Sequence, residues 1–293
     1  MKRLFALMLA VWLMLTAAYA ESPAAIETPA AAEETGGIVE VTAEPATGTA
    51  AEVTAGPTDA AADEPEPTAT LQPTAEPTPT PVPGRLAGLK IGIDPGHQEH
   101  GNNEKELVTP GGKEKKPKVS SGTSGRKTRI PEYVTVLEIA FKLRDALEAE
   151  GAEVKMTRET HDVNISNQER AIMMNEWGAD LVLRIHCDGT NKKSANGIGL
   201  FVNKSFDISA ESKKAAEAIL PRMVEATGAE KRGVYQRDTY TGLNWSEVPC
   251  ILVECGYLTN PDEDVRLNDP EYQQKLAEGM VEGTCDYFER QEE

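Results

Sequence analysis

Apolar residues follow two different periods in the C-terminal two-thirds of this 293-residue chain. Short, nearly continuous apolar runs predict buried strands, and longer stretches with apolar residues three or four positions apart predict amphipathic helices. The two kinds of segment alternate, which is typical of an α/β domain with a parallel sheet. The predicted strands are residues 89–93, 153–157, 181–185, 198–202 and 251–254, and the predicted helices are residues 131–150, 166–177, 209–226 and 272–288.

This pattern predicts one doubly wound α/β domain over residues 85–293, with a twisted, mostly parallel sheet of about six strands flanked by helices on both faces. Pro131 suits the first turn of its helix, and Pro221 is expected to bend or divide the helix that contains it. Residues 98–130 do not fit the pattern, since they are rich in Gly, Lys and Ser, with eight basic and four acidic residues. They predict a long loop that either grips an anionic substrate or is a solvated insertion.

The first 84 residues differ in composition from the domain. Residues 1–20 combine Lys2 and Arg3 with an apolar run and an Ala-Tyr-Ala end, the pattern of a secretory signal peptide cleaved after Ala20. An uncleaved membrane anchor is the alternative. Residues 21–84 hold 11 of the 19 prolines and lack aromatic residues, Lys and Arg. Such a segment cannot bury enough apolar surface to offset its ordering entropy, so we expect a disordered tether and a secreted, extracytoplasmic protein.

Charge argues against one class of partner, and the cysteines allow several disulfide states. The formal charge of −18 divides into +2 for the signal, −12 for the tether and −8 for the domain, so nucleic acid is not an expected partner. An exported protein could pair its four cysteines in three ways, or keep them as buried thiols. If Cys187 and Cys255 lie on strands, they point to the opposite sheet face from the residues that precede them. The remaining two are Cys250 and Cys285.

Two of the four histidines lie at predicted strand ends: His97 after IGIDPG and His186 after LVLRI. Strands of a parallel sheet bring such residues together at one edge, and zinc enzymes use imidazoles, often with a carboxylate and one open position. Glu132 begins a predicted helix, where it is either a ligand or a partner of the helix dipole. Glu254 ends the buried run ILVE, where a carboxylate is costly unless it is paired or functional, so it is a candidate general base.

Five segments in one order carry a resemblance to a known family. They are KIGIDPGH, PEYVTVLEIAFKL, MTRETHDVNISNQERAIMMN, LRIHCDG and VPCILVECGYLTNPDE. Together they resemble the catalytic domain of zinc-dependent N-acetylmuramoyl-L-alanine amidases, over roughly residues 86–290. The resemblance implies one zinc ion on His97, Glu132 and His186, with Glu254 as the catalytic glutamate. It also implies hydrolysis of the amide bond between N-acetylmuramic acid and L-alanine in peptidoglycan.

The chain departs from that family beside the first ligand, where Gln98, Glu99 and His100 replace the usual glycines. Glu99 and His100 are therefore alternative metal ligands. Arg158 and Arg170 match family arginines and are expected to act as scaffold or salt-bridge groups.

Two other functions stay open at this point: another zinc-dependent wall hydrolase, such as a peptidase or deacetylase, and a non-catalytic wall-binding domain. The presence of all four site residues favours an enzyme. The expected protein is a monomer that acts on peptidoglycan at the cell wall, with no insertion of the mature domain into a membrane. An activator protein is neither indicated nor excluded.

Overall fold

A computed structural model of the chain describes residues 84–292. The predicted signal peptide (residues 1–20) and all but the last residue of the predicted tether (residues 21–84) lie outside this range. The strands are β1 (Lys90–Pro95), β2 (Asn102–Leu107), β3 (Lys115–Val119), β4 (Glu153–Met156), β5 (Leu181–Asp188), β6 (Ile198–Asn203), β7 (Lys231–Arg237) and β8 (Cys250–Tyr257). The helices are α1 (Glu132–Ala149), α2 (Asn167–Trp177), α3 (Ser209–Thr227), α4 (Thr241–Asn244), α5 (Pro261–Leu267) and α6 (Pro270–Glu292).

Six of these strands form the main sheet, in the order β4-β1-β5-β8-β6-β7. Strands β4, β1, β5 and β8 run parallel to one another, while β6 runs antiparallel to β8 and β7 pairs in parallel with β6. The structure therefore confirms the predicted α/β class and the mostly parallel six-stranded sheet. The carboxyl ends of β1, β5 and β8 meet at one edge.

Helices cover both faces of the sheet, as predicted. Along β5, Leu181 and Leu183 belong to the larger apolar cluster, which includes residues of α1, α3 and α6. Val182 belongs to a smaller cluster with Met174 of α2 and Leu243 of α4. Because β5 is buried on both faces, its sequence is a continuous apolar run rather than an alternating one. Each such fully buried side chain contributes about 1.5–3 kcal/mol to folding.

Helix α2 begins and ends where local signals predict. The Ser166 side chain accepts a hydrogen bond from the backbone of Glu169, whose side chain accepts one from the backbone of Ser166, so the two form a capping box. Gly178 ends the helix in a left-handed conformation with φ of 68°. The capping box fixes the start of α2 and therefore the position of Arg170 in its first turn. Arg170 supports the loop that carries His97.

The prediction for residues 98–130 was wrong in one respect. They contain the antiparallel hairpin β2–β3, which a run as polar as NNEKEL or KKPKV does not reveal. Tertiary contacts hold the hairpin: the Trp245 indole donates to the carbonyl of Leu107, and the Asn244 amide donates to that of Val108. The segment is an ordered part of the domain.

Four further elements differ from the predictions. Edge strand β7 was missed because KRGVYQR has no apolar run, and α4 and α5 were missed because they have only four and seven residues. Helix α3 continues through Pro221 without being divided.

No helix within residues 84–292 has the length and hydropathy that a bilayer span requires.

All four cysteines are buried free thiols in this structure. Cys187 and Cys255 lie in the larger apolar cluster, beneath the sheet edge that carries His186 and Glu254. The expectation that these two thiols point away from the site is therefore confirmed.

Candidate metal centre

Three side chains converge at the carboxyl edge of the sheet. His97 follows β1, His186 lies on the neighbouring strand β5, and Glu132 is the first residue of α1. Nε2 of His97 lies 3.2 Å from Oε1 of Glu132 and 3.2 Å from Nδ1 of His186. Nδ1 of His186 lies 3.3 Å from the same Glu132 oxygen. The three donor atoms form a nearly equilateral triangle.

That triangle matches what zinc requires. Tetrahedral zinc with bonds of about 2.0–2.1 Å places its ligands about 3.3–3.4 Å apart. Two imidazoles and one carboxylate are also a common donor set for catalytic zinc, which keeps a fourth position for water or substrate. The three donors form the group of potential metal ligands found within the described part of the chain. Both the spacing and the chemistry of the donors fit a zinc ion.

The His97 ring is held in one orientation by its second nitrogen. Nδ1 lies 2.9 Å from the carbonyl oxygen of Ser120, to which it donates, so Nε2 is the nitrogen with a free lone pair. The backbone of His97 has a φ of 58°, a left-handed conformation that costs a non-glycine residue about 1–3 kcal/mol. Gly122 lets the backbone at that position lie close to the Glu132 carboxylate, because a Cβ there would lie 2.7 Å from Oε2 of Glu132.

The Glu132 carboxylate is also fixed through both oxygens. Oε1 accepts a 3.0 Å hydrogen bond from the backbone N–H of Cys187, and Oε2 accepts one of 3.0 Å from that of Thr123. Burial alone would raise the pKa of Glu132, but the adjacent imidazoles of His97 and His186 outweigh it and hold the pKa well below its usual range. Glu132 is therefore ionised, the form in which a carboxylate binds a metal.

Two buried arginines hold the loop that carries His97. Arg170 Nη1 donates to Asp94 Oδ1 and to the Pro95 carbonyl, both at 2.8 Å, and Nη2 donates to the His97 carbonyl at 2.9 Å. Arg158 donates to the carbonyls of Pro95 at 3.0 Å and Gly96 at 2.9 Å. The expectation that both arginines are scaffold groups is confirmed.

Arg170→Met should lower the free energy of unfolding by about 3–5 kcal/mol, because it removes one partner of a buried ion pair. The Asp94 carboxylate would keep the hydrogen bond from the Thr157 hydroxyl, but its one remaining charged partner would be Arg184, whose Nη1 lies 2.9 Å from Oδ2. Urea unfolding followed by circular dichroism measures the loss. Arg144→Met is the matched control, since its exposed pair with Asp145 should contribute only about 0–1 kcal/mol. Equal losses in the two variants would contradict the scaffold role.

The alternative ligands do not join the group. Glu99 and His100 are exposed to solvent, whereas Gln98 is fully buried. Gln98 Oε1 accepts hydrogen bonds from Arg170 and from the backbone of Ile165, both at 3.1 Å. The residue that replaces a family glycine therefore ties the His97 loop to the start of α2.

Glu254 lies beside the triangle, opposite His186 in the ladder between β5 and β8. It is half-buried, and its Oε2 atom is shielded from solvent with no hydrogen-bond partner among the described residues. Burial raises the pKa of the Glu254 carboxyl well above its usual range, and the charges of Asp188 and Glu132 add to the rise. A carboxylate free of partners and adjacent to a metal site suits proton transfer.

Three further residues near Glu254 were not singled out from the sequence. Asp188 and Tyr257 lie within the segments LRIHCDG and VPCILVECGYLTNPDE, and Tyr240 lies outside all five segments. Burial raises the pKa of both the Tyr240 and Tyr257 phenols, and the negative charges of Glu254 and Asp188 act in the same direction. Tyr257 is also the ladder partner of Asp188. One side of the site is therefore aromatic, which no residue spacing indicates.

Comparisons with known proteins show the family and the fold that this chain shares. A family model described as N-acetylmuramoyl-L-alanine amidase matches residues 91–286. An N-acetylmuramoyl-L-alanine amidase of Mycobacterium tuberculosis is 30% identical over 224 residues, which cover 72% of this chain and 90% of the relative. The crystal structure of an N-acetylmuramoyl-L-alanine amidase from Clostridium difficile 630 is 29% identical with a TM-score of 0.59, covering 70% of this chain and 98% of that one. The crystal structure of the amidase Ami1 from Mycobacterium smegmatis, with a TM-score of 0.65, 24% identity and coverage of 70% and 99%, supports the fold alone.

Proposed function

This chain belongs to the N-acetylmuramoyl-L-alanine amidase family, and we propose that it cleaves the amide bond between N-acetylmuramic acid and L-alanine in peptidoglycan with one zinc ion on His97, Glu132 and His186. The observation that carries the proposal is the donor triangle, with sides of 3.2, 3.2 and 3.3 Å. Family membership supports the substrate, and the donor set supports the metal.

The chain's own residues supply orientation and proton transfer. A zinc ion in this site would polarise the scissile carbonyl and lower the pKa of a bound water to roughly 7. Glu254 takes one proton from the attacking water on its carboxylate and passes it to the amide nitrogen of L-alanine as the C–N bond breaks. The products are a lactyl carboxylate on the glycan and a free amine on the peptide. Asp94, Arg158 and Arg170 keep the His97 loop in position throughout.

The proposed setting is the cell wall outside the cytoplasm. Residues 1–20 would direct export, residues 21–84 would tether the domain, and residues 85–293 would carry the activity as a monomer. The resemblance of the domain to cell-wall amidases supports this setting, because their substrate lies outside the membrane.

Digestion of purified peptidoglycan, with and without a chelator, tests the function and the metal together. We expect free L-alanine amino termini and intact glycan strands by mass spectrometry, a loss of activity with chelator, and its return with added zinc. A peptidase would instead cut within the stem, and a deacetylase would release acetate. A wall-binding domain would release nothing, so each alternative has its own outcome.

A further inference from the structure

Arg232 lies beside the candidate active site and forms no salt bridge with any of residues 84–292. Gly199 is the ladder partner of Glu254 on β6 and pairs with Gly233 on β7. A Cβ at Gly199 would lie 3.4 Å from Cβ of Arg232 and 3.6 Å from the Tyr235 ring. Arg232 and Tyr235 therefore lie against the stretch of β6 that pairs with Glu254, at ordinary van der Waals distance.

The Arg232 guanidinium is held in place without a salt bridge among the described residues, and its charge opposes the burial that raises the pKa of the nearby Asp188 carboxyl. It lies over the Tyr257 ring, 5.3 Å from the ring centroid, and Nη1 donates one long hydrogen bond of 3.4 Å to the carbonyl of Asn196. Within residues 84–292 no carboxylate forms a salt bridge with it. Stacking on an aromatic ring fixes the plane of a guanidinium and leaves its edge donors available.

This arrangement contrasts with the other arginines around the site. Arg158 and Arg170 donate hydrogen bonds to buried backbone carbonyls, and Arg170 also donates to Asp94. Arg184 is paired with Asp94 and with Asn167. Arg232 is half-buried, and within residues 84–292 its guanidinium donates only the long hydrogen bond to Asn196. A guanidinium with a fixed plane and available N–H donors beside an active site is suited to binding a carboxylate of the substrate.

The stem peptide offers such a carboxylate at a matching distance. Strands β8 and β7 are two ladder spacings apart, about 10 Å, and the Arg232 side chain leans back towards Tyr257 of β8. An extended peptide advances about 3.5 Å per residue, so the full distance corresponds to about three residues, and the lean of Arg232 towards β8 shortens it to about two residues beyond the scissile bond. The second stem residue is a D-glutamate linked through its side-chain carboxyl, which leaves its α-carboxylate free or amidated.

Building on the proposed function, we propose that Arg232 binds the free α-carboxylate of the second residue of the stem peptide. The site then discriminates between wall polymers whose stems carry D-isoglutamate and those whose stems are amidated to D-isoglutamine. Tyr257 orients the guanidinium, and the pairing of Gly199 with Glu254 places Arg232 beside the candidate base.

Calorimetric titration of the zinc-loaded protein with L-alanyl-γ-D-glutamyl-L-lysine and with its α-amide tests this directly. Wild type should bind the acid about tenfold more tightly than the amide, the effect of one charge-assisted hydrogen-bonded pair. Arg232→Met should bind both equally, and Arg232→Lys should keep part of the preference because it retains the charge without the fork. Arg237→Met is the matched control, because Arg237 also stacks on an aromatic ring, 5.6 Å from that of Tyr235, but lies four residues farther along β7 than Gly233.

Hydrolysis of the matching muramyl tripeptides separates this inference from the proposed function. For the acid substrate, Arg232→Met should raise KM about tenfold with little change in kcat, and kinetics on the amide should stay unchanged. Equal effects on acid and amide, or no acid preference in wild type, overturn the carboxylate site. Selective binding of the acid tripeptide without cleavage of either muropeptide overturns the proposed function and upholds the carboxylate site.

Discussion

Glu254→Gln should reduce hydrolysis of peptidoglycan by about a hundredfold to ten-thousandfold while the protein still binds zinc. Glutamine keeps the shape of the side chain but cannot take up a proton at neutral pH. Glu254 lies opposite His186 in the sheet, and its Oε2 accepts no hydrogen bond from residues 84–292. The variant therefore removes the proton acceptor and leaves the three predicted ligands intact.

Turnover should be measured together with zinc content by mass spectrometry of the metal. Glu247→Gln makes the same chemical change at an exposed carboxylate on the loop before β8, and it should retain full activity. If Glu254→Gln kept more than a small fraction of the activity, another group would have to act as the base. If it lost zinc as well, Glu254 would belong among the ligands.

His186→Ala should lose zinc itself. It removes one of three donor atoms, and its Nδ1 lies 3.2 Å from Nε2 of His97 and 3.3 Å from Oε1 of Glu132. Loss of a residue that merely supports a ligand costs about 10–100-fold in metal affinity, so loss of a ligand should cost more than about a hundredfold. After dialysis, metal analysis should find little zinc, and activity should fall with it.

His100→Ala is the control for that experiment. His100 lies three positions after His97, is exposed, and was an alternative ligand in the sequence. Its replacement should leave zinc content and activity unchanged. Stoichiometric zinc in His186→Ala, or loss of zinc in His100→Ala, would show that the ligand set is wrong. Circular dichroism of both variants separates loss of metal from loss of fold.

Local sequence was sufficient for the elements that are buried on both faces or strongly amphipathic. LVLRI and ILVE are apolar because β5 and β8 are covered by helices on either side, and that composition is visible without a structure. His186 lies near the carboxyl end of β5, and Glu254 lies near the carboxyl end of β8. The edge of the sheet that holds the site could therefore be predicted. The α/β class and the parallel core followed from these runs.

Contacts between distant segments decided the rest. Glu132 is 54 residues from His186, and only the packing of α1 against β5 brings its Oε1 within 3.3 Å of that ring. The hairpin β2–β3 and strand β7 are polar because each is buried on one side at most, so no apolar period marks them. The sequence by itself determined the class of fold, the edge that carries the site and the candidate residues. The tertiary structure decided which donors meet, because sheet register and buried arginine contacts are set by the whole chain.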